Sequence, residues 1–117
     1  MIFIFGALSV SALARPQLHT NSIGWIDRSS ISCEETSDHI CTVKKNAYTF
    51  FEQNENRKKY AVPAGTELVI RSEGSKRVDV GIVIPADWDK DGNLRPNRPC
   101  QLSRQGPYPQ VVKLACK

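Results

Sequence analysis

The sequence predicts a small all-β domain, a β-sandwich or barrel of five to seven short antiparallel strands stapled by disulfides. Apolar residues recur at every second position in several short runs, which is the period of a half-buried strand. No run keeps the 3.6-residue apolar period of an amphipathic helix. The chain has 117 residues and four cysteines, an even count that is typical of two disulfides in a short secreted chain. Such a length accommodates one domain.

The first fourteen residues indicate a leader. They are mostly apolar, carry no charged side chain and end in Ala12-Leu13-Ala14, an A-x-A cleavage pattern. The run is shorter than the roughly 20 apolar residues that span a bilayer. We therefore predict that residues 1–14 are a secretory signal peptide and that the protein is extracellular, with no membrane partner. A buried N-terminal strand is the alternative.

Beyond the leader, composition divides the chain in two. Residues 15–32 are polar with scattered apolar side chains, which predicts a loose N-terminal arm. Residues 33–117 hold all four cysteines and are predicted to form the disulfide-stapled β-domain. The net charge is +4.

Two disulfides among Cys33, Cys41, Cys100 and Cys116 allow three connectivities. We favour Cys33–Cys41 and Cys100–Cys116, because each bridge closes a short loop. A zinc site built from Cys33, His39 and Cys41 is the alternative, but the spacing is irregular and an oxidising compartment favours disulfides.

The strongest local pattern is a β-hairpin from Thr66 to Ile84. Leu68 and Ile70 lie on one face of the first strand, and the second strand places Val78, Val80 and Ile82 on the same face. Opposed residues in an antiparallel pair share a face, so even-numbered residues must pair with each other. This register requires an odd number of loop residues, which predicts a three- or five-residue loop near Gly74.

Other segments complete the strand pattern. Residues 42–51 are rich in strand-forming side chains, and residues 60–62 form a short returning strand. Residues 100–104 and 110–116 flank a Gly-Pro turn and predict a second hairpin. The prolines in residues 85–99 argue against a central strand there.

A possible calcium loop follows the central hairpin. Asp87, Asp89 and Asp91 alternate before Gly92, which matches the first half of a calcium-binding loop. Arg98 then stands where a bidentate glutamate closes such a site. We therefore predict an ordinary turn, no metal and no cofactor, with a calcium-dependent binding module as an alternative.

A basic cluster with neighbouring aromatic residues is the candidate binding site. Phe50 and Phe51 precede it, and its predicted partner-binding residues are Arg57, Lys58, Lys59 and Tyr60. Glu52 and Glu55 lie immediately upstream and the net charge is modest, so nucleic acid is disfavoured as a partner. Strand addition at an open edge, with flanking side chains that choose the partner, is the predicted mode of binding.

No catalytic signature is present in the sequence. His19 and His39 are the only histidines, and neither neighbours a serine or cysteine in a nucleophile pattern. We predict no catalytic residue and no enzymatic activity. A small secreted enzyme or enzyme inhibitor, of nuclease or hydrolase type, is the alternative.

The segment Val62 to Ser72, a turn that feeds an amphipathic strand, resembles the strand-entry segment of the ToxB-like MAX effectors. These are secreted fungal virulence proteins that share a six-stranded β-sandwich. The resemblance implies a virulence protein that binds a host protein without turnover, and delivery into host cells is compatible with it. The acidic segment 33–41 and the insertion 87–99 depart from the family, so no disulfide pairing is carried over.

Overall fold

The computed structural model describes residues 16–33, 39–53 and 56–117, and the predicted signal peptide, residues 1–14, lies outside the described residues. The described chain contains ten strands and one short 3₁₀ turn, Arg28–Ser30. The strands are β1 (Gln17–Asp27), β2 (Ile31–Cys33), β3 (Ile40–Val43), β4 (Ala47–Gln53), β5 (Asn56–Val62), β6 (Glu67–Glu73), β7 (Arg77–Trp88), β8 (Leu94–Pro96), β9 (Cys100–Gln105) and β10 (Gln110–Cys116). None of the described residues belongs to a helix long and apolar enough to cross a bilayer.

The strands form one sheet with the order β2-β3-β6-β7-β1-β4-β5-β10-β9, and β8 pairs with β7 beside this path. The all-β class is confirmed, but five to seven strands was too low an estimate. The pairing is antiparallel except between β5 and β10, which run parallel. Strands of three residues, such as β2 and β8, are too short to show a readable alternation, which explains the low count.

The prediction of a loose arm over residues 15–32 was wrong. β1 spans 11 residues and lies inside the sheet between β7 and β4. Ile23 and Ile26 are both fully buried. The ladder between β1 and β7 shifts register on both sides of Ser22, so the buried residues fall out of period 2. That irregularity, together with the polar composition, concealed the strand.

One buried cluster holds the fold together. Every strand except β8 and β9 contributes to it, and its largest fully buried members include Ile23, Ile26, Leu68 and Ile82. Val112 of β10 belongs to the same cluster, although β10 lies four places from β7 in the strand order. β7 and β10 also line a common groove of about 740 Å³. The sheet therefore curls around a single core.

The central hairpin has the predicted apolar register, because Leu68 pairs with Ile82 and Ile70 pairs with Val80. The predicted odd-numbered loop was wrong. The Gly74 N–H donates to the Arg77 carbonyl at 2.8 Å, so Gly74 and Arg77 form one more hydrogen-bonded pair beyond the end of β6. Two residues, Ser75 and Lys76, then remain at the tip of the hairpin. A bulge between Ile70 and Ser72 absorbs the extra residue. Such an insertion restores the apolar face without lengthening the loop.

Both favoured disulfides are confirmed, and no cysteine is free. Cys33 lies directly opposite Cys41 in the β2–β3 hairpin, and Cys100 lies opposite Cys116 in the β9–β10 hairpin. These hairpins occupy the two ends of the strand order. Each bridge thus joins a strand at one end of the described strand order to the strand beside it. The zinc alternative is contradicted, because its two thiols form a disulfide.

The Asp-rich segment forms the turn between β7 and β8. One Asp89 carboxylate oxygen accepts the N–H groups of Asp91 and Asn93 at 2.9 and 2.8 Å. The other oxygen accepts from the Arg95 guanidinium at 3.1 Å. The carboxylate therefore closes the turn, as Asp side chains commonly do. Within the described ranges, no group of three or more His, Cys, Asp or Glu side chains is placed to hold a metal ion.

These contacts predict how the turn responds to pH. The pKa of the Asp89 carboxyl lies below its ordinary value, first because the carboxylate accepts the backbone N–H of Asn93. Partial desolvation of the carboxylate raises this pKa, but the Arg95 guanidinium lowers it further. The resulting stabilisation is fully present above the unfolded-state pKa of about 3.9. It is lost as the pH falls through the lower folded-state pKa.

An NMR titration of the Asp89 side-chain carboxyl carbon should therefore show a midpoint below that of an aspartate in a short peptide. Arg95→Ala should raise the midpoint, because one of the donors to the charged form is removed. A midpoint at or above the peptide value would contradict the turn geometry.

Candidate partner-binding hairpin and outer-face cleft

The β4–β5 hairpin carries the predicted site and has an open edge. Its two strands pair from Ala47 with Val62 to Gln53 with Asn56. On its other side β5 pairs with β10 only at Tyr60 and Ala61. Among the described strands, none pairs with Asn56–Lys59 on that side. Unpaired N–H and C=O groups on an edge strand offer a template for another chain.

The basic residues at this edge do not form a single patch. Lys58 pairs with Phe51, and Phe51 packs against the core. Lys59 pairs with Phe50 and Arg57 pairs with Glu52 on the opposite, outer face. Because opposed residues share a face, the cations flank the open edge on both faces of the hairpin.

Tyr60 was wrongly assigned to the partner-binding set. It is only 9% exposed and belongs to the core cluster. The Arg104 guanidinium carbon lies 4.8 Å from its ring centroid, which further covers the ring. The alternation of β5 could have predicted this burial, because Tyr60 shares its face with Val62, which is fully buried.

The outer face beside the hairpin carries an aromatic and basic network that sequence reasoning did not identify. Trp25 of β1 pairs with Phe50 of β4. The Arg77 guanidinium carbon lies 4.7 Å from the Phe50 ring centroid. The Lys59 ammonium lies 4.1 Å from the Tyr48 centroid. Cation–π contacts of this kind fix long side chains over aromatic rings.

A cleft opens where β1 and β4 separate. The two strands pair only where Trp25 lies opposite Phe50 and Ile26 lies opposite Thr49. The cleft beside these pairs has a volume of about 180 Å³. Its lining residues are Ser22, Gly24, Trp25, Phe50, Phe51, Glu52, Arg57, Arg77 and Asp79. At the crossing Gly24 has a φ of +124°, and a Cβ there would lie 2.9 Å from the Phe50 carbonyl oxygen. Only glycine suits this close approach.

The floor of the cleft is held by hydrogen bonds. The Ser22 hydroxyl donates to the Asp79 carboxylate and accepts the Gly24 N–H at 3.1 Å. Arg71 lies 4.0 Å from the second Asp79 oxygen. These contacts join β7 to the irregular part of β1 and fix the position of the Asp79 carboxylate, whose side chain is 18% exposed.

The two histidines lie outside the cleft lining. His19 is exposed in β1, and its Nδ1 lies 3.1 Å from the Thr20 carbonyl oxygen. His39 is exposed and directly precedes β3. The enzyme alternative stays a prediction.

No protein-family model, curated protein or solved structure matches this chain, and the resemblance to MAX effectors stays a prediction.

Proposed function

We propose that this protein is a secreted effector that acts by binding a host protein, without catalytic turnover, through the open edge of β5. The observation that carries the proposal is that, among the described strands, Asn56–Lys59 pair on one side only. Two disulfides support an oxidising compartment. The resemblance to MAX effectors supports a fungal virulence protein.

Strand addition suits this edge physically. A partner strand would gain main-chain hydrogen bonds to β5, and flanking side chains would select it. Arg57 and Lys59 flank one face of the edge and Lys58 the other. A partner strand with acidic side chains on both faces would therefore be favoured by electrostatic complementarity.

The same lysines have another possible role, since charged residues on an edge strand also prevent unwanted pairing. The two roles differ in what a charge reversal does. If the lysines only keep the edge soluble, their reversal leaves partner binding intact. If they select the partner, reversal repels it.

The test compares Lys58→Glu with Lys90→Glu, a matched charge reversal at the exposed β7–β8 turn. Immobilised protein with both disulfides formed is used to capture partners from candidate host tissue. We expect Lys58→Glu to reduce capture of the partner by about tenfold, or 1.4 kcal/mol, because a like charge then faces the partner. Lys90→Glu should capture it normally.

Both variants should keep their Tm within about 4 °C of the parent, since surface substitutions rarely change stability by more than about 0.5 kcal/mol. Equal capture by the parent and by Lys58→Glu would remove this edge as the binding site.

A further inference from the structure

The cleft between β1 and β4 is a second candidate site, which shares only Arg57 with the partner-binding cations of the β5 edge. Its volume of about 180 Å³ is below the roughly 300–1,000 Å³ of pockets that bury a drug-sized ligand. It therefore accommodates one ring-sized group of a larger molecule. Its walls come from four strands, so the position of its side chains is set by the sheet rather than by a loop.

Trp25 supplies the apolar surface of the cleft. Trp25 is 38% exposed, although β1 lies inside the sheet between β7 and β4. The indole is supported by the β6–β7 turn, because its Cζ3 lies 3.4 Å from the site of a Cβ on Gly74. The neighbouring Phe50 ring is already covered by Arg77. The cleft therefore presents one indole ring, that of Trp25, in a fixed position to a ligand.

The charges of the side chains that line the cleft sum to zero. Arg57 and Arg77 carry two positive charges, and Glu52 and Asp79 carry two negative charges. An anionic ligand would meet the carboxylates and a cationic one would meet the guanidinium groups. A neutral ligand avoids both costs. Guanidinium groups only donate hydrogen bonds and carboxylates only accept them, so a ligand rich in hydroxyls, which do both, can match both kinds of side chain.

We propose that this cleft binds one neutral sugar ring of a glycan, stacked on Trp25. A pyranose has a face of weakly polarised C–H groups, and an aromatic ring presents a negative face to such groups. Its edge carries hydroxyls, which match the mixed donors and acceptors around the indole. A base of a single-stranded nucleic acid would also stack on tryptophan, but the backbone phosphates beside it would approach Glu52 and Asp79.

Intrinsic fluorescence can report this binding directly. The chain has two tryptophans, and Trp88, which is 63% exposed, is replaced in a Trp88→Phe parent so that Trp25 is the only reporter. The probes are cellohexaose, chitohexaose, laminarihexaose and mannohexaose. At least one should change the Trp25 emission saturably with a Kd of about 1 mM or tighter.

Variants locate the binding. By calorimetry Trp25→Ala should weaken the active hexasaccharide at least about tenfold, and Tyr108→Ala, which removes an aromatic side chain that is 68% exposed, should not. Arg57→Ala should also weaken it several-fold with an unchanged Tm, since Arg57 is exposed and donates to the ligand. Lys58→Glu should leave it unchanged, which separates this site from the β5 edge.

Three results would overturn the proposal. The first is no emission change with any of the four hexasaccharides at about 10 mM, ten times the expected Kd. The second is that Trp25→Ala and Arg57→Ala both bind the hexasaccharide as tightly as the parent does, or that Tyr108→Ala weakens binding as much as Trp25→Ala does. The third is tighter, salt-dependent binding of an oligo(U) RNA than of any hexasaccharide, which would assign the cleft to single-stranded nucleic acid.

Discussion

Replacing Ile26 with alanine is expected to lower the free energy of unfolding by about 2–5 kcal/mol. Ile26 is fully buried and pairs with Val78 of β7 and Thr49 of β4, both of which are also fully buried. Its truncation leaves a cavity where three strands meet. Against a typical total stability of about 5–15 kcal/mol, this is one of the two largest effects that we expect.

Urea denaturation of Ile26→Ala measures the effect, and Asp27→Ala is the matched control. Asp27 is the next residue of β1 but is exposed, and its nearest ion-pair contact, to Arg77, is 3.5 Å long between exposed side chains. Its replacement should therefore change stability by no more than about 0.5 kcal/mol. A loss below about 1 kcal/mol for Ile26→Ala would place residue 26 in a loose arm.

Removal of the disulfides should have effects of similar size. Replacing both Cys100 and Cys116 with serine should cost about 3 kcal/mol, because the unfolded chain regains the entropy of the closed loop. The Cys33–Cys41 bridge closes a loop about half as long, with a sequence separation of 8 against 16. Its loss should cost about 0.6 kcal/mol less.

Urea curves for the two double variants, recorded beside the oxidised parent, give this comparison. The parent under reducing conditions is the control, and it should lose at least as much stability as either double variant. Peptide mapping without reduction should recover only the two hairpin bridges. A crossed bridge would contradict the hairpin pairing. An unchanged unfolding midpoint in both double variants would show that the disulfides do not stabilise the fold by reducing the entropy of the unfolded chain.

Local pattern predicted those parts of the fold where one face of a strand is continuously buried. The alternation in β6 and β7 specified which residues of the central hairpin share a face, and the short loops between cysteines favoured the observed bridges. The hairpin of β9 and β10 was predicted by its Gly-Pro turn. Alternation is a local property, so it can be read before the strand partners are known.

The candidate sites depended more on pairing between distant segments. The sequence placed Arg57, Lys58 and Lys59 at an edge, but it did not separate the faces of the hairpin or the burial of Tyr60. Trp25 entered no sequence-based site, because its pairing with Phe50 joins β1 to β4, two strands that are not consecutive in the chain.

Composition and alternation within this sequence were sufficient for the all-β class, and the short cysteine spacings favoured the two observed disulfides over the other connectivities. The role of β1 was decided only by tertiary structure, because the register shifts around Ser22 break the period that identifies a buried strand. The parallel contact of β5 with β10, which leaves the edge at Asn56–Lys59 open, joins segments about fifty residues apart. Such contacts form only after the entropy of closing long loops has been overcome. No local pattern encodes which of the possible long-range pairings brings Trp25, Phe50 and Asp79 together.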